Sequence, residues 1–378
     1  MKGTRREFLG QSARLIGTGV LGAAMAGQGL GQTPTSKPAE GEKEKAYDGP
    51  LRTRTLGRTK LKISEISLGS IGASRYVVRY AVEQGVNFIH VSLGYGQAIH
   101  EVAAAFKELK EKAKGVYIGL KCPPTSAADE TVEKALKILD RQRIDVLFFD
   151  IHSPPAVEAE TVKATFDRLK KAGKVEFLGV TSHGQVQPCL EAAIRTGWYD
   201  CLMPAYNVAQ RKEFEAVFEQ AGKKDIGLVL MKTRVSEDDP ATVKVLLEDK
   251  ATTTICKGMR KLKSVKSFVE IVQREEKPTQ AEMERVVHEA ELAAIGRCAM
   301  CGTCTLACPG GLAVNDIVRS VDYYVDTMRD LDAGRLSYAA IPASVNAEGC
   351  RDCGRCERVC PNRVPVRSFV RRSKDVFS

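Results

Sequence analysis

The chain has 378 residues, 12 of them cysteine, 43% hydrophobic content and a formal net charge of +10. That length suits one large domain followed by a small one. The Lys and Arg are interspersed with Glu and Asp along helix-like segments, and no aromatic residues interleave with a basic cluster. A nucleic-acid groove is therefore not expected.

The front, residues 1–31, begins with basic residues. A mild apolar run from Leu15 to Ala26 follows, and then the small-residue site Ala24-Met25-Ala26. This is the pattern of a cleavable signal peptide. The run is too short and too glycine-rich for a spanning helix, so no stable membrane span is expected after cleavage. The pair Arg5-Arg6 in "TRREFL" resembles the twin-arginine export signal. It implies the twin-arginine machinery as a partner and a periplasmic location. Residues 32–50 are polar, charged and Pro-containing, and are expected to be a disordered linker.

From 51 to about 275 short apolar runs alternate with longer amphipathic stretches. Strands are expected at residues 63–69, 86–91, 116–121, 145–152, 175–182, 200–206, 227–232 and 252–256. Helical patterns over 101–112, 130–141, 156–172 and 212–221 separate several of them. Eight strands alternating with helices predict a (β/α)8 barrel, an α/β fold. In such a barrel chemistry sits where the strands end. His90, Lys121, His152, Ser182, Tyr206 and Lys232 all fall at or just beyond predicted strand ends, and Tyr95 lies in the loop after the second.

Residues 276–378 carry the motif C-x2-C-x2-C-x3-C-P twice, from Cys298 and from Cys350. Three thiolates two residues apart wrap one cubane, and the fourth, before Pro, reaches the neighbouring one. The expected sets are Cys298, Cys301, Cys304 and Cys360 on one [4Fe–4S] cluster, and Cys350, Cys353, Cys356 and Cys308 on the other. Between the motifs, "VNDIVRSVDYYVDTMRDL" has helical spacing, so this small domain is expected to be mainly helical. Cys122, Cys189, Cys201 and Cys256 are isolated in apolar segments, as small buried residues are. The export signal and the cysteines explain each other, because the twin-arginine system exports folded, loaded proteins.

"RTLGRTKLKISEISLGS", "GVNFIHVSLGYG", "LKCP", "FFDIHSPP" and "LGVTSHG" resemble the aldo/keto reductases, in particular a subgroup with a C-terminal iron–sulfur domain. The paired cysteine motif resembles bacterial two-cluster ferredoxins. The reductase resemblance implies a catalytic tetrad, with Tyr95, Lys121 and His152 as three members and His90 standing where the fourth, an Asp, is found. It implies NADP(H) held by Thr181, Ser182, Tyr206 and Lys232, with Gly258, Arg260 and Lys261 in the phosphate loop. Met203 and Phe268 replace a Gln and an Asn that contact the cofactor in the family. With His90 in place of Asp, Lys121 is expected to lack a carboxylate partner. The implied function is exported carbonyl or alcohol oxidoreduction, with electrons passing through the clusters to a redox partner protein. A second reading is an electron-transfer or binding protein whose barrel has lost hydride transfer.

Overall fold

The structure is a computed structural model and describes residues 51–124 and 126–377. The expected signal and linker lie outside them. The chain begins with a hairpin of β1 (Thr53–Thr55) and β2 (Lys62–Ser64), paired antiparallel. Then come β3 (Ile66–Gly69), β4 (Phe88–Ser92), β5 (Tyr117–Cys122), β6 (Ile144–Asp150), β7 (Val175–Ser182), β8 (Cys201–Pro204), β9 (Gly227–Met231) and β10 (Thr252–Gly258). These eight pair in parallel and close a barrel, β10 bonding to both β9 and β3. Their near-continuous apolar runs follow from burial on both faces.

The strand expected over 63–69 is two strands. Glu65 breaks it, because its buried carboxylate accepts from Arg52 Nε at 3.2 Å and Arg54 Nε at 2.7 Å. Residues before it pair within the hairpin and residues after it join the barrel. The strand expected over 145–152 stops at Asp150, which leaves His152 in the loop beyond.

The barrel interior is filled by side chains facing glycines. Phe148 is fully buried, and its Cα pairs with Lys121 on one side and Gly179 on the other. A Cβ at Gly179 would lie 2.4 Å from the Phe148 ring, and one at Gly119 would lie 2.6 Å from Phe88. The aromatic layer therefore requires these glycines.

After β10 comes the helix Leu262–Gln273 and then the helix Gln280–Ala294. The second opens with a capping box in which Thr279 and Glu282 satisfy each other's backbone amides. Its Val286 packs into the barrel's core, so the domain boundary expected at 275/276 precedes a helix that belongs with the barrel. A second, smaller core is built around Ile317, Val318, Ala347, Val364 and Val370. Its main helices are Val314–Asp322, Leu331–Ala339 and Val366–Phe377. Among the described residues no helix is long and apolar enough to cross a membrane.

Candidate active site between the barrel mouth and the cysteine domain

The two cysteine motifs fold alike. Met300 and Asp352 hold the same left-handed conformation, φ 56° and 54°, as do Gly302 and Gly354 at 78° and 71°. A four-residue helix follows in each, Thr303–Leu306 and Arg355–Arg358. The left-handed turns aim backbone amides at sulfur: Met300 N donates to Cys298 Sγ and Asp352 N to Cys350 Sγ, both at 3.4 Å. Such donors favour thiolate over thiol.

Cys298, Cys301, Cys304 and Cys360 surround one small cavity. Burial pushes the Cys298 thiol up to about 12, and Cys301 and Cys360 are among the neighbours that add to it. Cys356 is raised by burial first and then by Cys350, Cys308 and Cys353. The fourth cysteine of each motif thus lies with the other motif's triplet. All 12 cysteines are free of disulfides. Four soft thiols converging in each of two places suit iron–sulfur ligation. Cys122, Cys189, Cys201 and Cys256 are buried, as expected of isolated cysteines, although Cys256 also lines the barrel-mouth cavity.

The cysteine domain lies over the barrel mouth. Gly302 approaches Gln185 so closely that a Cβ would meet its backbone nitrogen at 2.8 Å. Asn315 Nδ2 donates to the His183 carbonyl at 2.6 Å, and Lys232 Nζ donates to Tyr323 Oη at 2.6 Å. Arg260 faces Asp330 at 3.7 Å and the Met328 carbonyl at 3.5 Å. Between barrel and cap lies a cavity of about 1110 Å³. Its walls include His90, Tyr95, Lys121, Asp150 and Lys232 from the barrel, and Cys298, Arg319 and Tyr323 from the cap.

Asp150, at the end of β6, is the centre of the site's charge. Its Oδ2 accepts from Lys121 Nζ at 2.9 Å. Its Oδ1 lies 3.0 Å from both His152 Nε2 and His183 Nδ1. The expectation that Lys121 lacks a carboxylate is therefore corrected: the adjacent strand supplies one. Despite burial, Lys121 and the two histidines hold the Asp150 carboxyl well below the usual carboxylate range. Asp150, His152 and His183 bring their ligand atoms within 4.8 Å of one another, but these atoms are engaged in hydrogen bonds among themselves.

His90 is buried, and its Nε2 has no hydrogen-bond partner among the described residues. Burial first, and Lys121 second, lower it to about 3, so it is a neutral imidazole. It stands edge-on to Tyr95 and Phe148, with ring centroids 6.1 and 5.8 Å away. For Tyr95, a neighbouring ammonium by itself would lower the phenol. The Lys121 ammonium does sit over its ring, 5.4 Å from the centroid. Yet burial, then Tyr323 and Asp150, raise the phenol well above its ordinary value, so it keeps its proton.

His152 is bound on both edges. Nε2 faces Asp150 and Nδ1 faces Asp316 of the cap at 3.1 Å. Although burial opposes it, these carboxylates raise the imidazole to about 9. A folded value above the unfolded value of about 6.5 lends stability that is complete below that pH and is lost as pH rises through about 9. Cap docking should loosen in that window. Protection factors of residues 314–322, corrected for hydroxide catalysis of exchange, should fall as pH rises through about 9, and this fall should be absent in His152→Gln.

The other expected cofactor residues divide. Tyr206, Lys232, Gly258 and Arg260 line the cavity. Thr181 is buried and directs its hydroxyl to Met231 sulfur at 3.7 Å, and Ser182 donates to the Gly184 carbonyl at 2.8 Å. Lys261 is exposed at the start of the helix Leu262–Gln273. Sequence reasoning missed Asp150, His183, Asp316, Arg319 and Tyr323. The available signal was a polar stripe, Asn315, Arg319 and Asp322, at helical spacing beside the apolar one.

Residues 72–234 match the model of the aldo/keto reductase family, and residues 290–361 match that of the 4Fe-4S dicluster domain. The chain thus joins an aldo/keto-reductase-type barrel to a dicluster iron–sulfur domain. Among solved structures it is similar to the aldo-keto reductase AKR11C1 from Bacillus halodurans in its holo form. That match has 18% identity and a TM-score of 0.54, and covers 63% of this chain and 96% of that one. The thermostable aldo-keto reductase Tm1743, solved with the inhibitor epalrestat, is 20% identical with a TM-score of 0.54, over 63% of this chain and 99% of its own. At these identities the likeness concerns the fold. No curated protein matches the chain.

Proposed function

We propose that the chain is an exported oxidoreductase in which the barrel-mouth cavity binds a small carbonyl or alcohol and the cysteine domain carries its electrons. The observation behind this reading is Cys298, which lines both the large cavity and the small one enclosed by the first thiol set. Cys298 and Ala299 form the wall that the two sites share. Two [4Fe–4S] clusters, held in the crossed sets, would supply electrons singly, and a redox partner protein would exchange them.

The chain's own residues prepare the substrate side. Tyr95 keeps its proton and offers a hydrogen bond to the substrate oxygen. Lys121, fixed by Asp150, places positive charge beside that oxygen as it gains electron density. His90, neutral and buried against Tyr95 and Phe148, adds no charge to the site.

NADP(H) does not fit the residues present. Ser182 spends its hydroxyl on Gly184, Met203 cannot hold a carboxamide, and Arg260 faces Asp330. Anaerobic titration of cluster-loaded protein with NADPH should give neither saturable change in cofactor fluorescence nor loss of cluster absorbance. Saturable binding with bleaching would restore the nicotinamide reading.

Export rests on Arg5 and Arg6. Replacing both by Lys should leave loaded protein in the cytoplasm. Undiminished export of that variant would remove the twin-arginine assignment.

A further inference from the structure

Two cations of the cavity, Lys232 and Arg319, have donor positions that no carboxylate among the described residues fills. Lys232 follows β9 in the left-handed conformation, φ 56°, and its side chain lines the cavity. There its hydrogen-bond partner is a neutral phenol, Tyr323 Oη. Among the described residues no carboxylate oxygen lies within 4.0 Å of Nζ. An enclosed ammonium without a contacting carboxylate is costly: burial first and then Arg319 hold Lys232 well below its ordinary value, against the opposing charge of Asp322 beyond contact distance.

Arg319 reaches the same cavity from the cap. It is 7% exposed. Asp316 takes one terminal nitrogen at 2.8 Å, while Nε has no partner among the described residues. Asp316 is already shared with His152 at 3.1 Å. Two cationic side chains with unfilled donor positions, one from each domain, therefore meet beside Tyr95 and Lys121. A bound anion would supply the missing charge, and a carboxylate accepts from both.

We infer that the substrate is a small carboxylate whose reacting carbonyl or hydroxyl lies beside the acid group, with Lys232 and Arg319 holding the carboxylate. This rests on the oxidoreductase reading and names its substrate class. In that arrangement the oxygen to be reduced or oxidised meets Tyr95 while the acid group is held by the cap. Neutral aldehydes and ketones lose the second anchor.

The test is anaerobic calorimetry on the cluster-loaded chain, with lactate, lactamide and inorganic phosphate as probes. Lactate should bind at least roughly tenfold more tightly than lactamide, since a charge-assisted contact is worth about that factor or more. Lys232→Met should remove most of this preference, lactate binding falling toward that of lactamide. Lys232→Arg should keep the preference, which shows that charge rather than folding is at stake. Equal binding of lactate and lactamide, binding of neither, or a preference that survives Lys232→Met would overturn the inference. So would phosphate binding as tight as lactate, which would mark a general anion hole. Heat of binding is read without turnover. Lactate bound with no effect on cluster absorbance would therefore count against the oxidoreductase reading alone.

Discussion

Asp150→Asn should cost the protein at least about a hundredfold in carbonyl turnover, the scale of acid–base and charge assistance at such sites. The carboxylate is the partner of Lys121 Nζ at 2.9 Å and the common acceptor for His152 and His183. Lys121 and Asp150 are 18% and 17% exposed, so solvent screens them weakly. Removing one member of so enclosed a pair costs about 3–5 kcal/mol of stability, because the other charge is left alone. The pH dependence should change as well. A carboxyl held far below its usual range lends stability that is present above its unfolded value of about 3.9 and is lost as pH falls through the folded one. Acid unfolding of the wild type should carry this steepness, and that of the Asn variant should lack it. The double variant Asp150→Asn/His90→Asp is the sharper probe. It returns a carboxylate to β4 beside Lys121, and should recover part of the turnover but not the hydrogen bonds to His152 and His183. An Asp150→Asn enzyme with wild-type turnover would show that Lys121 needs no anion from β6.

The second large effect is expected at the fourth cysteine of each motif. Cys308→Ala should damage the cluster held by Cys350, Cys353 and Cys356, because Cys308 is among the neighbours of Cys356. Cys360→Ala should damage that of Cys298, Cys301 and Cys304, whose cavity it helps to enclose. Iron and sulfide content should fall by about half in each variant, since each removes one of two four-thiolate sets. The surviving cluster should have a different electron paramagnetic resonance signal in the two variants. The Cys360→Ala variant should also lose communication with the barrel cavity, because the cluster beside Cys298 is the one removed. Loss confined to the motif that contains the substituted cysteine would exclude crossing.

Much of this was readable from residues alone, for identifiable reasons. The barrel strands are short apolar runs buried on both faces, and such runs stand out between amphipathic helices. The cysteine spacing is a ligand geometry written directly into the chain. Asp150 escaped notice because it ends an apolar run, two residues before a histidine that drew attention for itself. Its pairing with Lys121 depends on β5 and β6 being neighbours with Lys121 opposite Phe148, which is a matter of sheet register. Position by position His90 reads as a loss, because a carboxylate supplied from β6 instead of β4 looks like one deleted. The cap was hidden more deeply. Asn315, Arg319 and Asp322 look like the solvent face of an ordinary helix, and only their burial against the barrel mouth gives them a role. Tyr323 adds a further device. It opens the π-helical turn Tyr323–Thr327, and its phenol there takes the hydrogen of Lys232.

The central claim is that the barrel cavity and the thiol-lined domain are one redox unit. The direct measurement starts from holoprotein reduced anaerobically, with excess reductant removed. Small carbonyl compounds, 2-oxo acids among them, are then added without any nicotinamide. A carbonyl takes up two electrons and two protons to become an alcohol, so one alcohol should form for every two electrons withdrawn. The account predicts that cluster absorbance returns on addition of an accepted carbonyl, in that ratio, and that the return is slowed in Asp150→Asn. Clusters that stay reduced with every carbonyl, while NADPH alone drives alcohol formation in the same protein, would contradict it.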